Sequence, residues 1–181
     1  DCVAGKFQSI SEGTSCVSCI EGKYSGVGAS LCILCSPGQF ASAVNTVDCL
    51  KCAAGKFSEN AGADICTVCD PGKLSLLGSP ACSDCTKGQY RGTSDTAANG
   101  CLACVAGKFS ENAGSSTCAV CDPGKSSLAG SPACSDCTKG QFRGTSDIAA
   151  NGCLACVAGK YTDQTGMDAC IDCNAGQSSP E

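Results

Sequence analysis

The chain of 181 residues carries 21 cysteines, no histidine, no tryptophan and a formal net charge of −5. Cysteine at more than a tenth of the residues is the composition of a disulfide scaffold from an oxidising compartment. Much of the 43% hydrophobic content is Cys and Ala, which bury too little area for a large common core. The acidic balance, with Arg91 and Arg143 the only arginines, excludes nucleic acid as a partner, because that binding depends on clustered cations that release counterions.

Read from its start, the chain opens on Asp1-Cys2, the tail of a Cys-x-x-Cys whose first cysteine is missing. Pairs follow at Cys16/Cys19, Cys32/Cys35, Cys49/Cys52, Cys66/Cys69, Cys82/Cys85, Cys101/Cys104, Cys118/Cys121, Cys134/Cys137, Cys153/Cys156 and Cys170/Cys173, at short and nearly even intervals. Cys173 begins another unit, CNAGQSSPE, that does not close. Both ends are cut mid-module, and the chain is expected to be a segment of a longer array. The secretion signal that the cysteines imply is then expected outside these residues. No apolar run approaches the roughly 20 residues that span a bilayer, so no membrane insertion by this segment is expected.

A longer period lies over the short one. Residues 53–104 and 105–156 align without a gap and agree at 43 of 52 positions. The organisation is therefore 1–52 as three modules with the first truncated, two near-identical three-module blocks at 53–104 and 105–156, and the start of a further block at 157–181. Repetition on this scale predicts a quasi-one-dimensional stack in which each unit touches mainly its neighbours.

Each interval is too short, and too broken by Gly, Pro, Ser and Asn, for a stable helix. Short strands joined by turns are predicted. Pro37-Gly38, Asp70-Pro71-Gly72 and Asp122-Pro123-Gly124 have turn chemistry, Pro presetting φ and Gly accepting a positive one. Asn99-Gly100 and Asn151-Gly152 are hairpin-turn candidates. The fold class is thus small and disulfide-rich, an elongated tandem array of short irregular β-hairpin modules with little regular secondary structure and no common hydrophobic core.

Three module positions carry the chemistry. A Gly stands three residues after the second cysteine of every pair, from Gly5 to Gly176, which marks a backbone requirement: positive φ or close approach to a disulfide. Every aromatic falls two residues later, at Phe7, Tyr24, Phe40, Phe57, Tyr90, Phe109, Phe142 and Tyr161. A ligand-stacking ladder is one reading of these rings. The stronger one makes each ring the miniature core of its module, laid against a disulfide or the next turn. Between Gly and ring sits Lys or Gln, as at Lys6, Lys56, Lys108, Gln89 and Gln141, which reads as a solvated face.

The Cys-x-x-Cys pairs admit disulfides, zinc or thiol redox chemistry. Ten copies argue against a redox site, which needs one activated pair. Zinc is disfavoured by the lack of His and by a Gly three residues after the pair, where a knuckle would place it immediately after. No cofactor or metal is expected. Without His the commonest general base is missing, and no catalytic constellation escapes the repeat.

The pattern Cys-x2-Cys-x2-Gly-Lys-Phe/Tyr followed by Gly-x3-Cys-x2-Cys, as in Cys52, Gly55, Phe57, Gly62, Cys66 and Cys69, resembles the cysteine-rich repeats of ephrin-receptor-like extracellular regions. It resembles more loosely the tumour-necrosis-factor-receptor modules. Departures exist: Cys35 to Cys49 lacks the second Gly, and the modules closing at Cys101 and Cys153 are lengthened. The resemblance implies an extracellular or cell-surface placement and an elongated shape, and it does not fix a ligand.

Two pairing schemes compete for the cysteines. In the sequential one, each cysteine that ends a pair bonds to the one that starts the next, from Cys2 with Cys16 to Cys156 with Cys170. In the crosswise one, Cys49 bonds Cys66 and Cys52 bonds Cys69. The long repeat holds an odd number of pairs, so crosswise bonding would give Cys66 and Cys118 different partners in nearly identical surroundings. Sequential pairing is the expectation, and it leaves Cys173 unpaired within the chain.

The functional expectation is a structural or spacer segment of an extracellular or cell-surface filament or stalk, a rod on the order of 100 to 150 Å if each module advances by three to five extended residues. Its partners would be further copies of the repeat or neighbouring chains of the same assembly. The alternative is a receptor or adhesion ectodomain that binds a protein ligand. N-glycan sequons are absent from the chain, and O-linked glycans on exposed Ser and Thr are a candidate modification.

Overall fold

The computed structural model of the chain describes residues 1–9, 15–93, 100–145 and 152–176. Within these there is no helix. Twenty strands of two residues each run from β1 (Lys6–Phe7) and β2 (Val17–Ser18) to β19 (Lys160–Tyr161) and β20 (Ile171–Asp172). The array is small and disulfide-rich, and each hairpin is a two-stranded antiparallel sheet of its own.

The local sequence explains each hairpin. Its first strand is the Lys/Gln-aromatic dipeptide, with Leu74 and Ser126 in the ring position of Lys73–Leu74 and Lys125–Ser126, and its second is the dipeptide enclosed by Cys-x-x-Cys. Lys6 lies opposite Ser18 and Phe7 opposite Val17; the same register recurs at Phe40 and Leu50, and at Tyr161 and Ile171. A four-residue turn launches the first strand. In the unit at Asp70 the Lys73 amide donates to the Asp70 carbonyl at 3.1 Å, with Pro71 and Gly72 at the corners and φ of +80° at Gly72. Positive φ at the third turn residue is the signature of a type II turn, which Gly accepts without steric cost. The predicted turns at Pro37-Gly38 and Asp122-Pro123-Gly124 have the same bond. Asn99 and Asn151 lie outside the described residues.

The disulfides follow the sequential scheme: Cys2–Cys16, Cys19–Cys32, Cys35–Cys49, Cys52–Cys66, Cys69–Cys82, Cys85–Cys101, Cys104–Cys118, Cys121–Cys134, Cys137–Cys153 and Cys156–Cys170. They number the modules one to ten. Each hairpin therefore straddles a module boundary, because its second strand links the closing cysteine of one module to the opening cysteine of the next. The amide of that opening cysteine returns to the turn glycine, as from Cys19 to the Gly5 carbonyl and from Cys137 to that of Gly124, at 2.9 and 2.7 Å. Cys173 makes the same bond to Gly159 but is a free thiol.

The chain divides into two compact units, one built on residues 1–83 and one on residues 84–92 and 101–176. The same stacking operates inside each. A turn-glycine amide donates to a carbonyl about twenty residues on: Gly22 to Ala41 and Gly38 to Ser58 in the first unit, Gly107 to Ser127 and Gly124 to Arg143 in the second. A second amide closes the return path, as from Gly62 to the Cys35 carbonyl and from Gly130 to that of Cys104, both at 2.8 Å.

Candidate functional site

What repeats from module to module is an interlock, and its centre is the turn glycine. A Cβ at Gly22 would overlap the carbonyl of Gly62, whose carbon would lie 2.7 Å away. One at Gly38 would overlap that of Gly78, and Gly88 and Gly124 stand in the same relation to Gly130 and Gly166. In each case the partner is two modules ahead. At these four turns close approach is thus required as well as positive φ, but to a backbone rather than to a disulfide. Most inter-module hydrogen bonds join adjacent modules, and at these glycines modules also meet their next-but-one.

The missing second Gly between Cys35 and Cys49 is explained here. Asn45 takes φ of +61° and donates its amide to the Cys19 carbonyl at 2.9 Å, as Gly62 does to Cys35. Asn is among the few residues that tolerate this left-handed conformation.

Besides the turn glycines, burial falls on two kinds of position. One is the opening cysteine of every module but the last, including Cys2, Cys19, Cys35, Cys52, Cys85, Cys104 and Cys137, whereas Cys156 is half-buried. The other is the residue after the aromatic, or after the Leu74 or Ser126 that stands in its place: Ser25, Ala41, Ser58, Ser75, Arg91, Ser110, Ser127, Arg143 and Thr162. Reasoning from the sequence misses this second position, although its column of small hydroxyl residues is visible in the repeat. Its chemistry is a staple. Ser25 Oγ donates to the Lys6 carbonyl, Ser58 to Gln39, Ser75 to Lys56 and Ser127 to Lys108, each about one module back and at 2.8–3.0 Å. Ser110 instead bonds the Asn112 carbonyl within its own module.

Arg143 enlarges the staple into a clamp. Its side chain is 2% exposed. Nη1 donates to the carbonyls of Lys125 at 2.8 Å, Cys121 at 3.1 Å and Asp122 at 3.5 Å, all in the preceding module. Nη2 lies 3.3 Å from the place a Cβ would take at Gly107, two modules back. Nε is buried without a hydrogen-bond partner among the described residues. Arg91 occupies the equivalent position and is 4% exposed.

Phe7, Tyr24, Phe40, Phe57, Tyr90, Phe109, Phe142 and Tyr161 are all half-buried. They are cross-strand partners more than enclosed cores, because a two-stranded ribbon has no second layer to cover them. Tyr24 packs against the cluster of Cys35, Ala41 and Cys49, which includes the next module's disulfide. Large aliphatics on the opposing strands stay exposed, among them Val17, Ile33 and Leu50. The solvated Lys row is used in part. Lys125 pairs with Asp136 at 3.6 Å and Lys160 with Asp172 at 2.9 Å, both across a hairpin. Such exposed pairs contribute little.

Twenty of the 21 cysteines are oxidised in pairs and are not thiolates open to a metal. Among the described residues no group of three or more His, Cys, Asp or Glu is placed to hold an ion. No helix among them is long and apolar enough to cross a membrane.

Residues 22–69, about a quarter of the chain, match the family described as tyrosine-protein kinase ephrin type A/B receptor-like. That stretch is similar to ephrin-receptor-like cysteine-rich repeats, and the regular series of disulfides along the chain is consistent with a cysteine-rich repeat array. The matched stretch runs from the turn glycine of the second module to the opening cysteine of the fifth, and so contains the Cys35–Cys49 and Cys52–Cys66 modules whole. Modules of this family are not catalytic. Ephrin-receptor-like repeats and a tandem disulfide series fit an extracellular or secreted setting, where disulfides persist. No curated protein matches the chain.

Proposed function

We propose that this array of ephrin-receptor-like repeats is a structural spacer of an extracellular or cell-surface filament or stalk. One observation carries the reading. The buried polar groups that recur in the modules, the turn-glycine amides and the post-aromatic hydroxyls, mostly bond the adjacent module, as at Gly38 with Ser58 and Ser127 with Lys108. A fold whose repeated chemistry is directed at its own repeat is suited to propagating length. Its natural partners are further copies of the same repeat or neighbouring chains of the assembly.

Solution scattering on the chain, and on versions carrying one and two extra copies of residues 105–156, tests this. The radius of gyration should rise in proportion to the number of blocks. A value of about 16 Å for the parent, growing only as the compact-domain scaling allows, would remove the spacer reading.

A receptor or adhesion ectodomain is the second reading, favoured by the uneven surface. Among the described residues, ten exposed large aliphatics fall in residues 1–52, including Val17, Ile20, Leu31, Ile33 and Leu50, against four in each of the blocks 53–104 and 105–156. Stoichiometric binding of a soluble protein to residues 1–52, and not to the copied blocks, would establish it.

A further inference from the structure

We propose that the array carries a covalent limit on its own extension: the ten disulfides form a through-bond path that bypasses every module loop. A pull along the chain can separate modules but cannot lengthen them. The biological purpose of such a limit rests on the spacer reading above, whereas the limit itself rests on the pairing.

Each disulfide joins residues 13 to 16 apart in sequence and holds their Cα atoms 5.6–5.8 Å apart. Without the bridge, a separation of about 14 residues would extend to about 46–50 Å. The backbone between successive bridges is three residue steps, as from Cys16 to Cys19, and reaches about 10–11 Å at most. Alternating bridges and links carry tension from Cys2 to Cys170 with no loop in series.

The distance between those two residues then has a ceiling on the order of 150 Å, against about 550–600 Å for the same residues in a reduced, fully drawn chain. Crosswise pairing would not give this path, since it uses the pairs two at a time and would leave loops such as that from Cys69 to Cys82 in series.

The non-covalent contacts set where extension begins. Gly38 with Ser58, Gly62 with Cys35 and Ser75 with Lys56 bridge modules and yield under load. Rupture of these contacts releases only the slack between the folded spacing and the covalent ceiling. Contacts can re-form when load is removed, because each module remains closed by its bridge. The expected behaviour is a short compliant range followed by a steep stop.

Optical-tweezers stretching of the full chain, held by handles at its two ends, tests the limit. The oxidised protein should stop at about 150 Å between Cys2 and Cys170. Excess dithiothreitol, oxidised to its cyclic disulfide as each bridge becomes two thiols, should raise the stop nearly fourfold. The paired substitution Cys104→Ser with Cys118→Ser opens one loop and should add about 40–45 Å in the absence of reductant. An oxidised chain that lengthens in steps of that size, or a paired variant with the parental stop, would overturn the proposal. A soluble ligand captured by one module would overturn the spacer reading and leave the stop where it is.

Discussion

The turn at Gly38 lies directly against the carbonyl of Gly78, forty residues and two modules further on. Gly38 has φ of +82°, and a Cβ there would stand 2.7 Å from the Gly78 carbonyl carbon and 3.2 Å from that of Ser79. Gly140 occupies the same turn position with φ of +76°, yet among the described residues nothing lies within 4 Å of the place its Cβ would take. Gly140→Ala should therefore cost only the left-handed backbone penalty, about 1–2 kcal/mol. Gly38→Ala should cost more, since backbone must shift as well. Denaturant unfolding of the oxidised variants measures both, and equal losses would show that the next-but-one contact carries no energy.

Hydroxyl staples should be separable from hydroxyls that bond within a module. Ser127→Ala removes a buried 2.9 Å bond to the Lys108 carbonyl and should cost about 1 kcal/mol. Faster amide exchange is expected around both Lys108 and Ser127. Ser110→Ala loses a bond to its own module and should leave exchange in the preceding module unchanged. Exchange that spreads equally in both variants would contradict the staple.

Arg143→Ala should be more damaging than either serine change. It takes a charged donor from the carbonyls of Cys121 and Lys125, and hydrogen bonds to charged groups contribute about 1.5–3 kcal/mol. The vacated volume adds to the loss. Arg143→Ser restores the residue found at Ser25 and Ser58, and should recover part of the stability by making the shorter staple. A thermal scan that ranks parent, serine variant and alanine variant in any other order would count against the clamp.

Aromatic truncations should scale with the cross-strand partner. Phe40 faces Leu50, whereas Phe109 faces Ala119. Aromatic-aliphatic pairs contribute about 0.2–1 kcal/mol beyond an alanine pair, so Phe40→Ala should exceed Phe109→Ala by a few tenths. Both effects should remain within one or two modules, since contacts beyond the next-but-one module do not recur in the stacking pattern. Amide exchange measured along both variants checks this, and loss of protection several modules away would contradict it.

Reduction should unfold the array where single truncations do not. Closing a loop of about 15 residues contributes roughly 3 kcal/mol in the chain-entropy model. A fully buried Phe contributes about 1.5–3 kcal/mol, and the half-buried rings here contribute less. Circular dichroism after complete reduction and alkylation should lose its native features, and their retention would place the stabilising energy elsewhere.

Much of this architecture is legible in the spacing of Cys, Gly and aromatic residues. A glycine that recurs at one position of each module signals a backbone constraint, and the turn at Asp70-Pro71-Gly72 is readable from Pro and Gly alone. The two-residue strands follow from the same period, because an interval closed by cysteines leaves room for little else. The interlock is decided only in three dimensions. A repeat tells which residue types share an environment, but not how far each module rotates against its predecessor. The stacking sets Gly38 against Gly78, buries the residue after most of the rings instead of the ring itself, and lets Asn45 stand in for a glycine. The physical reason is that these contacts join residues about twenty and forty positions apart, whereas turn and hairpin chemistry acts over three or four.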